Sequence, residues 1–250
     1  MRKTRPEKKL PVSDRLIVAL DYETEEAALM MVERLSELLT TFKVGSQLFT
    51  KCGPEIVRKI HDAGGRVFLD LKFHDIPTTV AKSGIEAARL GVFMFNVHVS
   101  GGGTMMKRCV EMVGEVCERE GLSRPYIIGV TLLTSICKET LRDDLGVAKP
   151  VPEQVTHLAR LAEECGLDGV VSSAREVKLI RKTCGPDFRI VTPGIRPAGA
   201  SIDDQSRVAT PGDALRSGAD YLVIGRPITA APDPARTVQE ILKEMEAKKF

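Results

Sequence analysis

Val67-Phe-Leu-Asp-Leu-Lys-Phe-His-Asp-Ile-Pro-Thr-Thr-Val80 is an apolar run broken by charges at Asp70, Lys72 and Asp75. Alternate residues of a β-strand share a face, so Asp70 and Lys72 are expected on one side and Val67, Leu69 and Leu71 on the other. Two opposite charges then enter one interior, where a charge is costly unless it is paired. An isolated Asp-x-Lys is ordinarily a structural ion pair at a strand end. Asp75, a third charge just past the strand, shifts the reading towards chemistry. Ile76-Pro77 ends the strand, because proline cannot donate to a ladder and suits the first turn of a helix. Strand, charged loop and helix thus follow one another within one short stretch.

The same unit recurs along the chain. Strand-like runs are expected at 16–20, 41–45, 67–71, 92–97, 126–130, 169–172, 189–192 and 221–224. Helix-like segments fall between or after them at 24–40, 54–63, 78–90, 103–120, 152–165, 174–183, 211–217 and 234–248. Gly91, Gly166 and Gly218 stand where a left-handed cap would end a helix before the next strand. Eight strand-helix units without a linker predict an α/β chain folded as a single-domain (β/α)8 TIM barrel over 13–250, preceded by a flexible basic tail over 1–12. An open doubly wound sheet is the structural alternative.

Composition excludes several classes of partner. The 250 residues are 43% hydrophobic and 28% charged, enough for a large core, and 36 basic against 34 acidic residues leave a formal charge of only +2. No global field therefore points to a nucleic-acid polymer or a membrane surface. The cysteines at 52, 109, 117, 137, 165 and 184 form no C-x-x-C pair and no zinc-spaced cluster, which suits reduced, mostly buried thiols. No stretch approaches the ~20 apolar residues of a membrane span. A cytoplasmic protein is expected.

A barrel of this kind carries its chemistry at the carboxyl ends of the strands. Asp21 closes the first strand, Lys43 sits in the second, Asp70 and Lys72 end the third, Asn96 and His98 end the fourth, and Thr134 follows the fifth. His98 and His74 read more readily as packing or hydrogen-bonding residues than as catalysts. Ser100-Gly-Gly-Gly103 is a weak anion-loop signal, since glycine at such a turn needs no ligand to explain it. Gly194-Ile-Arg196 after the seventh strand and Gly225-Arg226 after the eighth bring two arginines to the quadrant where barrels often bind phosphate. The long, polar segment 197–210 between them, which includes Gln205, has the length of a lid.

Val18-Ala-Leu-Asp21, Lys43-Val-Gly45, Asp70-Leu-Lys-Phe-His-Asp-Ile-Pro77, Asn96-Val-His98, Leu133-Thr-Ser135, Thr192-Pro-Gly-Ile-Arg-Pro197 and Val223-Ile-Gly-Arg-Pro227 together resemble the orotidine 5′-monophosphate decarboxylases of the bacterial type. The resemblance covers nearly the whole chain. It implies an alternating charge network of Lys43, Asp70, Lys72 and Asp75, with Asp75, Ile76 and Thr79 entering the site from the other subunit of a homodimer. It implies that Asp21 and Lys43 hold the ribose hydroxyls, that Thr134 lies over the pyrimidine, and that Gln205, Gly225 and Arg226 bind phosphate with Arg196 nearby. Orotidine 5′-monophosphate and UMP would be the small-molecule ligands, Lys72 the proton donor, and no cofactor or metal would be needed. Sister barrels acting on sugar phosphates share the Asp-x-Lys-x-x-Asp arrangement but use magnesium and tend to carry an acidic residue in place of Lys43. Another phosphate-binding barrel, such as an isomerase, and a silent nucleotide-binding protein are the remaining alternatives. Lys72 together with both aspartates argues against silence.

Overall fold

Apolar runs that are buried on both faces make parallel strands, and here they close into a ring. The computed structural model describes residues 10–197 and 209–247. Its strands are β1 Leu16–Ala19, β2 Thr41–Gly45, β3 Arg66–Phe73, β4 Met94–His98, β5 Tyr126–Val130, β6 Gly169–Val171, β7 Arg189–Thr192 and β8 Tyr221–Ile224. They pair in chain order, all parallel, and β8 returns to β1, giving a closed (β/α)8 barrel rather than an open sheet. Period-two alternation divides the side chains. Ile17, Ala19, Phe68, Met94, Ile128, Val191, Tyr221 and Val223 fill the barrel, while their neighbours Leu16, Val18, Leu69, Phe95 and Ile190 face the helices in the larger outer core.

The helices are α1 Val12–Arg15, α2 Glu25–Leu35, α3 Ser46–Cys52, α4 Glu55–Asp62, α5 Pro77–Arg89, α6 Gly103–Glu120, α7 Val151–Glu164, α8 Val177–Cys184, α9 Pro211–Arg216, α10 Arg226–Thr229 and α11 Pro234–Ala247. Pro77 opens α5 as expected, and Gly91, Gly166 and Gly218 end their helices at φ 73°, 84° and 104°. The expected helix over 24–40 stops at Leu35. The short α3, directly after β2, has too few turns to show a helical period and was not expected. Residues 1–9 of the expected tail lie outside the described residues, and Val12 is already buried in α1.

The amino-terminal end of the barrel is sealed. The Arg66 guanidinium lies 4.4 Å from the Phe93 ring, Arg189 lies 4.0 Å from the Tyr126 ring, and Phe93 meets both Tyr126 and Tyr221 edge-on. An aspartate just before β6 and one just before β8 tie each strand to the one before it. Asp168 accepts the Ile127 N–H at 2.8 Å and pairs with Arg124, and Asp220 accepts the Ile190 N–H at 2.7 Å and pairs with Arg181. With that end plugged, the carboxyl end is left for ligands. Among the described residues no helix is long and apolar enough to cross a membrane. All six cysteines are free thiols, four of them buried, and burial pushes the Cys109 thiol up to about 12.

Candidate active site

Four strand-end side chains form one line of alternating charge. Lys43 Nζ lies 3.0 Å from Asp21 Oδ1 and 3.4 Å from Asp70 Oδ2, and Lys72 Nζ lies 2.7 Å from Asp70 Oδ1. Lys43 and Asp70 are nearly enclosed, with side chains 11% and 14% exposed, whereas Lys72 is 34% and Asp21 59% exposed. Each enclosed charge thus has opposite charge beside it, which is the condition for keeping ions out of water. Gly45 leaves room for this line, because a Cβ there would stand 3.0 Å from Lys43 Nζ. Nothing local in the sequence marks this role of the glycine, which has meaning only beside the Lys43 ammonium.

Asp70 and Lys72 share the inner face of β3 as expected, while Leu69 and Leu71 pack on the outer core, but the strand that carries them is not regular. The β3–β4 register shifts between Leu69 and Phe73, and Lys72 has φ 52°. The side chain of Asn96 on β4 accepts the Lys72 N–H at 2.8 Å and donates to Asp70 Oδ1 at 2.6 Å. The strand runs on through this irregularity to Phe73.

Two adjoining cavities share Lys43, Pro193 and Val223. One, about 250 Å³, contains Asp70 and Lys72 against Phe68, Val130, Leu132, Leu133, Val171 and Val191, with Thr134 on its wall. The other, about 310 Å³, is bounded by Asp21, Gly194, Arg196, Gly225 and Arg226. The first has the apolar walls and few polar groups of a ring-binding pocket; the second gathers two guanidinium groups for an anion. Arg196, only 6% exposed, donates its backbone N–H to Ala209 at 3.0 Å, and this contact closes the two ends of the segment that contains Gln205. Gln205 itself lies outside the described residues.

Asp75, Ile76 and Thr79 stand apart from this line at the start of α5, all three exposed, with Ile76 at 68%. The Asp75 carboxylate accepts the Ile76 N–H at 2.6 Å and forms no ion pair with Lys72 among the described residues. The His74 and His98 rings meet near Lys72 with centres 5.3 Å apart and planes tilted by 39°. Burial, reinforced by the positive fields of His74 and Lys72, lowers the His98 pKa against the opposing pull of Asp70. A neutral imidazole is the outcome at neutral pH. No group of three His, Cys, Asp or Glu able to hold a metal occurs among the described residues; between Asp21 and Asp70 the cationic group is the Lys43 ammonium.

Relatives match this chain over nearly its whole length. Orotidine 5′-phosphate decarboxylase of Syntrophotalea carbinolica is 56% identical over 93% of this chain and 95% of its own, and that of Geobacter sulfurreducens is 54% identical over 94% and 97%. The crystal structure of orotidine 5′-phosphate decarboxylase from Lactobacillus acidophilus superposes with a TM-score of 0.82 at 38% identity, covering 93% of this chain and 99% of that one. The model of the orotidine 5′-phosphate decarboxylase / HUMPS family matches residues 14–241, and the chain belongs to that family.

Proposed function

We propose that this protein decarboxylates orotidine 5′-monophosphate to UMP in pyrimidine biosynthesis without a cofactor, using Lys72 as the cation that stabilises the carbanion and then protonates it. The observation that carries this reading is the Asp21–Lys43–Asp70–Lys72 line, in which an ammonium occupies the position a metal would need between two carboxylates. Breaking the bond to the carboxylate releases CO2 and leaves its electron pair on the ring carbon, in an orbital the pyrimidine π-system cannot stabilise. The Lys72 ammonium supplies positive charge where that pair develops and a proton to complete the C–H bond. Asp70 is placed beside the departing carboxylate. Two like charges about 4 Å apart repel by about 4 kcal/mol at an effective dielectric of 20. Enzymes lower barriers by roughly 8 to 23 kcal/mol, so preorganised Lys72 and binding energy from the phosphate supply the larger part.

In this reading Asp21 and Lys43 hold the ribose hydroxyls and Thr134 covers the ring. Arg226, Gly225 and Gln205 bind the phosphate, with Arg196 beside them. The exposed Asp75, Ile76 and Thr79 complete the site of a partner subunit in a cytoplasmic homodimer. Their exposure next to β3, and the absence of an Asp75–Lys72 pair within the described chain, support that division of labour. The decarboxylase domain is 13–250, preceded by the basic tail over 1–12. The test is to follow loss of orotidylate and release of CO2 by the purified protein in excess chelator. Undiminished turnover is expected. A requirement for added magnesium would overturn the metal-free mechanism, and no decarboxylation under any condition would overturn the activity.

A further inference from the structure

We infer that Asn96 is a positioning residue for the decarboxylation site: its amide reaches from β4 to β3, orients the Asp70 carboxylate and holds the left-handed backbone that presents Lys72. The inference rests on the proposed role of Lys72. Lys72 is the only non-glycine residue with positive φ among the described residues, a conformation that long side chains adopt only when their surroundings impose it. The imposing feature is a wide irregularity in the ladder. Leu69 pairs with Phe95 and Phe73 with Val97, so the β3 residues between Leu69 and Phe73 face the single β4 residue Asn96. Within this irregularity the Lys72 N–H donates to the Asn96 Oδ1 at 2.8 Å.

The other end of the same amide fixes the carboxylate. Asn96 Nδ2 donates to Asp70 Oδ1 at 2.6 Å, and Lys72 Nζ donates to that same oxygen at 2.7 Å, which leaves Oδ2 towards Lys43. A backbone N–H only donates and a carboxylate only accepts, so the amide has one orientation that satisfies both. Few side chains could replace it. Aspartate has no donor for Asp70, alanine has neither group, and glutamine is longer by a methylene. Asn96 is completely buried and shares the inward face of β4 with Met94, so both ends of its amide must be satisfied where it stands. The titratable groups facing Asp70 are Lys43 from β2, with Asp21 behind it, Lys72 from β3, and His98 from β4, with His74 behind it.

Two variants test this. Asn96→Ala removes both bonds, and a displacement of the reacting groups by about 1 Å is enough to cost ~100-fold in rate. The expected result is a fall in kcat of about that size with UMP affinity within about threefold of wild type. Asn96→Asp is nearly isosteric and keeps the acceptor for the Lys72 N–H, but places a second carboxylate against Asp70. Neighbouring like charges raise a carboxyl pKa, so the acid limb of kcat should move upward by about one pH unit or more. A residue that only stabilised the fold would change the melting temperature without moving that limb. Should Asn96→Ala not fold, Asn96→Asp decides. The inference is overturned by kcat within about threefold of wild type in either folded variant, by equal losses of kcat and UMP affinity, or by an unmoved acid limb in Asn96→Asp. Wild-type protein that fails to decarboxylate orotidylate would instead overturn the proposed function itself.

Discussion

Lys72 reaches Asp70 at 2.7 Å across a backbone that has left the regular strand, with φ 52° at the lysine. The ammonium therefore arrives at the cavity already matched to a carboxylate, and that carboxylate is matched to Lys43 on its other oxygen. Such a line gives Lys43 a carboxylate on each side and Lys72 one at hydrogen-bond distance. Under the proposed mechanism the Asp70 charge stands beside the carboxylate that must leave as neutral CO2.

Removing the Lys72 ammonium should abolish turnover while sparing affinity. Lys72→Ala is expected to lower kcat by about 10⁴-fold or more, the combined size of proton delivery and electrostatic stabilisation. UMP affinity should remain within about tenfold, because the residues proposed to hold the phosphate and ribose line the other cavity. Single-turnover kinetics and product titration check both numbers, and near-normal turnover would remove Lys72 from the chemistry.

Arg226 is exposed at the mouth of the cavity that also contains Arg196. Its charge should matter only when a phosphate is present to meet it. Arg226→Ala is expected to lower kcat/KM for orotidylate by about 100-fold or more, the value of a charged hydrogen bond or two, and to leave the phosphate-free nucleoside orotidine almost unaffected. Equal losses on both substrates would show that this guanidinium is not the phosphate ligand.

The proposed sharing of each site between two subunits predicts a complementation signature. Lys72→Ala and Asp75→Asn homodimers should each be nearly inactive. In a mixed dimer one site collects both damaged residues and the other receives intact Lys72 and intact Asp75. With free exchange about half of the dimers are mixed, so about a quarter of all sites should recover. Differently tagged chains confirm exchange, and turnover is followed over time. Mixed dimers that stay as inactive as the separate variants would place Asp75 outside the neighbouring site.

His98 and His61 both titrate below the usual 6.5, with burial the leading cause in each. Below that pH the unfolded chain takes up protons that the folded chain resists, so stability rises with pH through this window. The contribution is complete above about 6.5 and declines as the solution is acidified, until the folded imidazoles protonate as well. The melting temperature should therefore fall between about pH 7 and 5.5, and His98→Asn should flatten part of that slope. A slope unchanged by the substitution would assign the effect to other groups.

β2, β5, β7 and β8 fall at the bounds their sequence predicts, because short apolar runs bracketed by glycine, proline and polar residues carry both period and boundary locally. The same local grammar sets Pro77 at the start of α5 and places Asp21, Lys43, Asp70, Lys72 and Thr134 at one end of the barrel. Tertiary structure decided what those residues do to one another. The β3–β4 register shift, the left-handed Lys72 and the Asn96 clamp depend on groups 24 and 26 positions apart. No window of sequence that reads one strand at a time contains both partners. Gly45 belongs to the same class, since its missing side chain has meaning only beside the Asp21–Lys43 pair. Period and turn chemistry are properties of neighbours along the chain, whereas a bulge is a bargain between strands, settled only when the barrel closes and every buried donor must find its acceptor.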